Sequence, residues 1–218
     1  MNVLDLIVLG PQGSGKTTQA ELLSRTFGFA LIGAGNVLRE IAGGNTESAE
    51  RVHRTINVEG HLIDPELISD LMKEKIIAAP KDLRLILDGY PRTSTQYELF
   101  KKFWPETGRG DYRAISIDIS REEAMTRLAR RVTCENCGAV FTEGTTEKCT
   151  SCSGRLSRRP DDTPEAIQNR LQSFYSETMP MIRTMETDGK VLHLNGMQTV
   201  AELHQDIVAR LSGCEART

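Results

Sequence analysis

Eight consecutive residues, Gly10-Pro11-Gln12-Gly13-Ser14-Gly15-Lys16-Thr17, satisfy G-x-x-x-x-G-K-[S/T] without a mismatch. An apolar run, Leu4 to Leu9, precedes them, and a helix-compatible stretch, Thr18 to Phe27, follows. That strand–loop–helix setting makes the string a phosphate-binding loop. Gly13 and Gly15 let the backbone turn tightly, so that successive N–H groups point inward at a phosphate chain. The helix opening near Lys16 adds the positive end of its dipole. Lys16 can reach the β- and γ-phosphates, and the Thr17 hydroxyl can hold Mg²⁺. The bland alternative, a Gly-rich turn that binds nothing, leaves the complete pattern unexplained.

A second constellation starts at Asp88, which ends the apolar stretch Leu83-Arg84-Leu85-Ile86-Leu87. A carboxylate at the C-terminal end of a central strand lies at the crevice where open parallel sheets bind ligands. Beside a phosphate loop such an acid orients Mg²⁺; by itself it is also an ordinary Asp-Gly turn. In Asp88-Gly89-Tyr90-Pro91-Arg92-Thr93, Gly89 lets backbone approach a ligand, Pro91 stiffens the turn, and the Arg92 fork suits a phosphate.

Four of the five cysteines form two C-x-x-C pairs, Cys134/Cys137 and Cys149/Cys152, joined by eleven residues. Four thiolates with no open position make a closed tetrahedral zinc site, which is structural. Two disulfides are the alternative; in a cytosolic chain clustered thiols read as metal first. Cys214 stands apart from them.

The elements that must position these groups alternate. Strands are expected at Leu4–Leu9, Phe29–Ile32, Leu83–Leu87, Tyr112–Ile119 and Val191–Leu194, with helical stretches between them. This predicts an α/β fold, a doubly wound parallel five-stranded sheet with helices on both faces. Ser120-Arg121-Glu122-Glu123 and Thr199-Val200-Ala201-Glu202 read as capping boxes. Pro164 suits a first helical turn, Pro180 is expected to bend or end the helix that follows, and Gly213 to stop the last one. Two segments interrupt the alternation. Residues 33–62 supply only short helical candidates, Val37–Ile41 and Ser48–Val58, and residues 132–162 are polar and rich in Cys, Gly and Thr. The second cannot hide much core, so a metal is what holds it. The organisation expected is core over 1–32, 63–131 and 163–218, with inserts at 33–62 and 132–162.

A chain of 218 residues with a net charge of −3 can bury a substantial core and does not suggest a polyanion binder. No apolar segment is long enough to span a bilayer, and the N-terminal run carries Asp5 and lacks a basic leader. The cytoplasm is the expected compartment.

The stretches G-P-Q-G-S-G-K-T-T-Q-A from Gly10 and D-G-Y-P-R-T from Asp88, with Gln96 beyond, resemble those of the adenylate kinase family and its nucleoside monophosphate kinase relatives, over nearly the whole chain. The resemblance implies reversible Mg²⁺-dependent phosphoryl transfer from ATP to AMP, giving two ADP. It makes 33–62 the monophosphate-binding insert and 132–162 a lid of the zinc-binding kind found in some bacterial-type members. The donor phosphates then fall to Gly13, Ser14, Gly15, Lys16, Thr17 and Thr18. The acceptor falls to Ala34, Arg39, Gly89, Tyr90, Pro91, Arg92 and Gln96, with the backbone of His61, Leu62 and Ile63 lining its base. Arg127, Arg131, Arg159 and Arg170 match the arginines at the base of the lid, and with Lys16 and Asp88 complete the expected catalytic set. Arg130 stands where a Gly is usual; for it, Arg155 and Arg158 a solvated surface is an equal reading. Asp161 and Asp162 match an acidic pair at the lid hinge, and Gln198 lies in the turn that meets the donor's adenine, where a Lys is often found. Two more departures matter. Ala34 lacks the hydroxyl of the family's S-T-G-D-M-L-R, so a broader acceptor (UMP, CMP or GMP) is the near alternative. Thr17 replaces a common Gly and restores the general phosphate-loop pattern. From other classes come a nucleotide-dependent nucleic-acid binder built on the Cys knuckles, against which the mild acidity and the scarcity of aromatics argue, and a phosphate-loop hydrolase. No membrane attachment and no obligate protein partner are expected.

Overall fold

Alternate side chains of one strand divide the molecule. In β1 (Asp5–Leu9), Leu6 and Val8 enter one apolar cluster while Ile7 and Leu9 enter another. A strand buried on both faces is what a parallel sheet covered on both sides demands. The computed structural model describes residues 4–42, 63–159 and 162–213. Its main sheet contains β1, β2 (Ala30–Gly33), β3 (Leu85–Asp88), β4 (Tyr112–Asp118) and a fifth strand at Val191–Asn195, in the order β2-β3-β1-β4-fifth. Every pairing in it is parallel. The expected fold class and all five expected strands are therefore present.

The helices sort by face. Helix α1 (Lys16–Phe27) sends Ala20 and Leu23 to the Leu6/Val8 side, where Leu203 and Ile207 of the last helix, Val200–Gly213, join them. On the Ile7/Leu9 side lie α2 (Ala34–Ala42), α3 (Pro65–Ala78), α4 (Ser94–Phe103) and a later helix at Met179–Thr187. The aromatic centre of that side is Phe100, which meets Tyr90, Phe103, Trp104 and Tyr112 with ring centroids 4.9–6.1 Å apart. The main connections move to one side of β1 through α1 and to the other through β4, which places a topological switch point at the C-terminal end of β1. Register brings Val8 of β1 and Gly33 of β2 level with Asp88.

After β4 come α5 (Arg121–Ala129) and a small antiparallel sheet of β5 (Arg131–Cys134), β6 (Val140–Thr142) and β7 (Leu156–Ser157), in the order β6-β5-β7. Helix α6 (Pro164–Ser173) follows, capped by Thr163, whose hydroxyl accepts the Ala166 N–H. Then come α7 (Met179–Thr187), β8 (Val191–Asn195) and α8 (Val200–Gly213).

Two local expectations need correction. Ser120 accepts the Glu123 N–H at 3.1 Å, but Glu123 gives its carboxylate to Arg127 at 2.6 Å, so only half of the expected box forms. A buriable cation one turn ahead is the stronger partner for it. The box at Thr199 and Glu202 does form reciprocally. Pro180 does not end the helical run, although the α geometry is interrupted just before it. A π turn at Phe174–Thr178, in which the Met179 N–H reaches the Phe174 carbonyl, lies before it, and Pro180 falls in the first turn of α7, where its missing N–H costs little. Ser48–Val58, His61, Leu62, Asp161 and Cys214 lie outside the described residues.

The aromatic packing predicts the effect of its removal. Phe100→Ala should lower unfolding stability by about 3–5 kcal/mol, the usual range for emptying a buried aromatic site, while urea denaturation retains a single transition. A loss within the error of the measurement would show that these rings do not hold the α4 face.

Candidate active site

The phosphate loop leaves β1 at Leu9 and returns as α1 at Lys16. Gly15 is the N-cap residue, with φ 88°, a left-handed conformation that lets the loop enter the helix without a side-chain cap. The first N–H groups of α1 are thus left for a ligand. Lys16 reaches back across its own loop to the Pro11 carbonyl at 3.3 Å. Gly13 and Thr18 are half-buried and Ser14 is buried, with a hydroxyl that has no partner among the described residues.

Asp88 closes the far wall. Its Oδ2 accepts the Thr17 hydroxyl at 2.6 Å, whereas Oδ1 is buried without a partner among the described residues. A buried carboxylate oxygen with nothing to accept is a costly arrangement unless a ligand completes it. Paired with a hydroxyl, it forms a set of hard oxygen donors that suits Mg²⁺. Gly89 follows at φ 72°, and a Cβ there would lie 2.6 Å from Arg92 Nη2, so only Gly lets the Arg92 guanidinium fold back. Arg92 Nε donates to the Gly89 carbonyl at 2.6 Å, and its backbone N–H donates to Gln96 Oε1 at 2.7 Å. The Tyr90–Pro91 bond is cis, and the Tyr90 hydroxyl donates to Ser69 Oγ at 2.9 Å.

Lys16 sits in the field of Asp88, Arg92, Arg131 and Arg170. Burial is the first cause that lowers its ammonium pKa, to about 7; Asp88 opposes the shift and the three arginines add to it. Arg131 and Arg170 are brought together by a residue that no single motif marks. Asp162 accepts Arg131 Nε at 2.8 Å and Arg170 Nη2 at 2.8 Å, with side-chain exposures of 14% and 12% for the arginines and 4% for the acid. Although burial pushes the Asp162 carboxyl up, the two guanidinium groups hold it below the usual range.

The other expected residues are placed less centrally. Arg127 donates to Glu123, to the Gly13 carbonyl at 3.4 Å and to the Gly196 carbonyl at 3.0 Å, tying α5 to the phosphate loop and to the turn after β8. Arg159 accepts the Asp162 N–H on its carbonyl at the end of the small sheet. Ala34 and Ile63 pack in the main core, and Arg39 on α2 donates to Asn36 Oδ1. Gln198 is half-buried beside Met197, which is 53% exposed. Arg155 and Arg158 are exposed, each beside a glutamate. Reasoning from the sequence missed Glu123 and Gly196 as partners of Arg127 and undervalued Asp162; only the i, i+4 spacing of Glu123 and Arg127 could have revealed one of them.

In the small sheet the four Sγ atoms of Cys134, Cys137, Cys149 and Cys152 lie within 4.8 Å of one another. Cys134–Cys152 and Cys137–Cys149 are 3.4 and 3.5 Å apart, too long for disulfides and near the about 3.8 Å edge of a tetrahedral zinc thiolate site. The Cys134 and Cys149 thiols are held below the usual range, at Cys149 against burial, by neighbouring backbone N–H groups and by the other thiols, while Cys137 and Cys152, facing them, are pushed up, as expected of thiols crowded into one site. The donor set is thus compatible with zinc. Among the described residues no helix is long and apolar enough to cross a membrane.

Comparison with known proteins agrees with this geometry. The family model described as adenylate kinase matches residues 8–190. Proteins named adenylate kinase from Syntrophotalea carbinolica (31% identical over 97% of this chain and 99% of the relative) and Chlamydia caviae (32%, over 96% and 98%) are similar along their whole length. One from Dehalococcoides mccartyi is 33% identical over 95% of this chain and 97% of its own. With a phosphate loop, an acid at the switch point and clustered arginines in one crevice, the chain belongs to the adenylate kinase family of nucleoside monophosphate kinases and is a phosphotransferase.

Proposed function

We propose that the chain transfers a phosphoryl group reversibly from ATP to AMP, yielding two ADP. The observation that carries this reading is the convergence of Lys16, Arg92, Arg131 and Arg170 on the crevice walled by Thr17 and Asp88. Transfer of a γ-phosphoryl group spreads charge over three oxygens, and positioned cations are what that transition state requires. Lys16 holds the moving group, Arg131 and Arg170 neutralise it from the lid side together with Arg127 and Arg159, and Arg39 and Arg92 hold the acceptor phosphate. Gln96 positions Arg92 through its backbone N–H. Asp88 and the Thr17 hydroxyl are the oxygens that fit Mg²⁺, which when bound with ATP offsets charge between its phosphates. No covalent intermediate or strong general base is needed, because in-line positioning and cation stabilisation supply the rate.

Residues 33–62 act as the acceptor-binding insert and 132–162 as the lid, held in shape by a structural zinc on the four cysteines. Reduced thiols kept for a metal go with a reducing compartment, the cytoplasm. Neither a membrane nor nucleic acid nor an obligate protein partner enters the reaction.

Three outcomes test this. In a coupled assay across monophosphates, AMP should turn over at least about tenfold faster than UMP, CMP or GMP, a margin one or two base contacts supply. Negligible AMP-dependent ADP formation beside rapid use of another monophosphate would move the acceptor assignment, and ATP loss without any monophosphate would make the chain a hydrolase.

The second concerns Lys16. Its pKa of about 7 in the anion-free crevice must rise when phosphates replace water around it. Below that value Lys16 is charged in both states; above it, binding must draw in a proton, so ATP affinity falls as pH rises. Calorimetry of Mg-ATP binding at about pH 8, in buffers of different ionisation enthalpy, should show uptake approaching one proton that Lys16→Met abolishes. Equal uptake by the variant would assign the proton elsewhere.

The third concerns the metal. Cys137→Ser should lose bound zinc and lower the thermal midpoint by roughly 5–10 °C, with kcat at low temperature little changed. A wild type that is free of metal and equally stable in chelator would remove the zinc assignment.

A further inference from the structure

His193 lies on β8, an outer strand of the five-stranded sheet. Its ring joins two acids: Nδ1 is 2.6 Å from Asp118 Oδ2, and Nε2 is 2.5 Å from Glu186 Oε1. A neutral imidazole has one N–H and can serve only one of them; the other nitrogen would set a lone pair against a carboxylate. Both contacts together require the imidazolium. Asp118 comes from the end of β4 and Glu186 from α7, while Arg210 of α8 borders the same open groove and is itself paired with Asp206 at 2.9 Å. The second oxygen of Asp118 accepts the Ser116 hydroxyl at 2.7 Å, so its carboxylate is fixed on both sides. Burial pulls the imidazole pKa down, and the two carboxylates outweigh it, raising it above 6.5.

This bridge continues into the crevice. The Asp118 carbonyl accepts the Gly196 N–H at 2.8 Å. The Gly196 carbonyl accepts Arg127 Nη2 at 3.0 Å, and Arg127 Nη1 reaches the Gly13 carbonyl of the phosphate loop at 3.4 Å. Two residues beyond Asp118, Ser120 caps the helix that carries Arg127. We propose that the imidazolium of His193 is a positioning residue for the donor nucleotide: by clamping Asp118 to Glu186, it holds the Gly196 turn and Arg127 in register with the phosphate loop. This rests on the reading that ATP occupies this end of the sheet. The clamp is complete while His193 is charged and opens as pH rises through its raised pKa, since one of the two contacts must then be given up.

The test is a pH profile of His193→Gln against wild type. At about pH 6, where wild-type His193 is charged, the variant should show a KM for ATP raised roughly two- to tenfold, the range one hydrogen bond spans. Its KM for AMP should be unchanged. The ratio of variant to wild type should fall to one by about pH 9; taking the ratio at each pH cancels the titration of Lys16. A ratio constant with pH, or an equal rise in the KM for AMP, would overturn the positioning role. Imidazole NMR of the wild type reads the clamp without any variant. His193, one of four histidines, should titrate above 6.5, and Asp118→Asn should bring it down. Titration at or below 6.5 would refute the clamp even if His193→Gln failed to fold. Absence of AMP-dependent turnover in the wild type would sink the kinase reading instead, while the NMR result would still decide the clamp.

Discussion

Concentrated positive charge is the constraint that the rest of the structure has to manage. Lys16, Arg92, Arg131 and Arg170 act on one another in a crevice that burial makes poor at screening. Among the described residues Asp88 and Asp162 stand against them. Asp162 takes two guanidinium groups on one carboxylate, and Asp88 attracts both Lys16 and Arg92. The cations differ in how they bear this. Arg keeps its charge whatever its surroundings, whereas Lys loses its proton when buried among like charges. Lys16 is therefore the member whose charge depends on what fills the crevice, and a phosphate chain is the filling that restores it.

The scaffold explains why these groups meet. Lys16, Asp88 and the Gly196 turn belong to three different strand ends, and parallel pairing places all three ends on one edge of the sheet. Two-sided burial of β1, β3 and β4 keeps that edge in place, because a one-residue slip would exchange the two apolar clusters. The geometry of the edge is thus a property of the core, and the hydrogen bonds along it only refine the last ångström. Arg127 shows the refinement: it joins the loop after β1 to the turn after β8 across the end of β4.

Much of this was legible beforehand, and the reason is locality. The phosphate loop, the Asp88–Arg92 turn and the paired cysteines each occupy a few consecutive residues whose types are dictated by backbone conformation or by ligand chemistry. The five strands could be read because apolar runs of that length bounded by Gly, Pro or Asp have few other uses. What escaped was non-local or competitive. Nothing near Asp162 says that it will hold Arg131 and Arg170, since 31 and 8 residues separate the partners. His193 reads as one more residue in an apolar strand until β4 and α7 bring acids to both ring nitrogens. The half-formed box at Ser120 failed for the second reason: Glu123 had two possible partners, and the charged one won. At Pro180 the π turn before it was invisible because no residue type demands it.

The two ends of the cysteine-bearing excursion are joined by the same charges that line the crevice. Arg131 opens β5 and Asp162 follows β7, so their ion pair closes the excursion at its base. The excursion itself offers little apolar burial; Val132 and the two inner cysteines are its buried apolar side chains among the described residues. A metal centre can keep such a piece in shape without a core to bind it to the sheet. Among the described residues the connection at its base is electrostatic, through Asp162 to Arg131 and Arg170. Asp162 thus ties the far end of the excursion to Arg131 at its start and to Arg170 on α6, and breaking a pair this buried costs about 3–5 kcal/mol. The acid that closes the excursion at its base is thereby the one that fixes where two of the crevice's guanidinium groups stand.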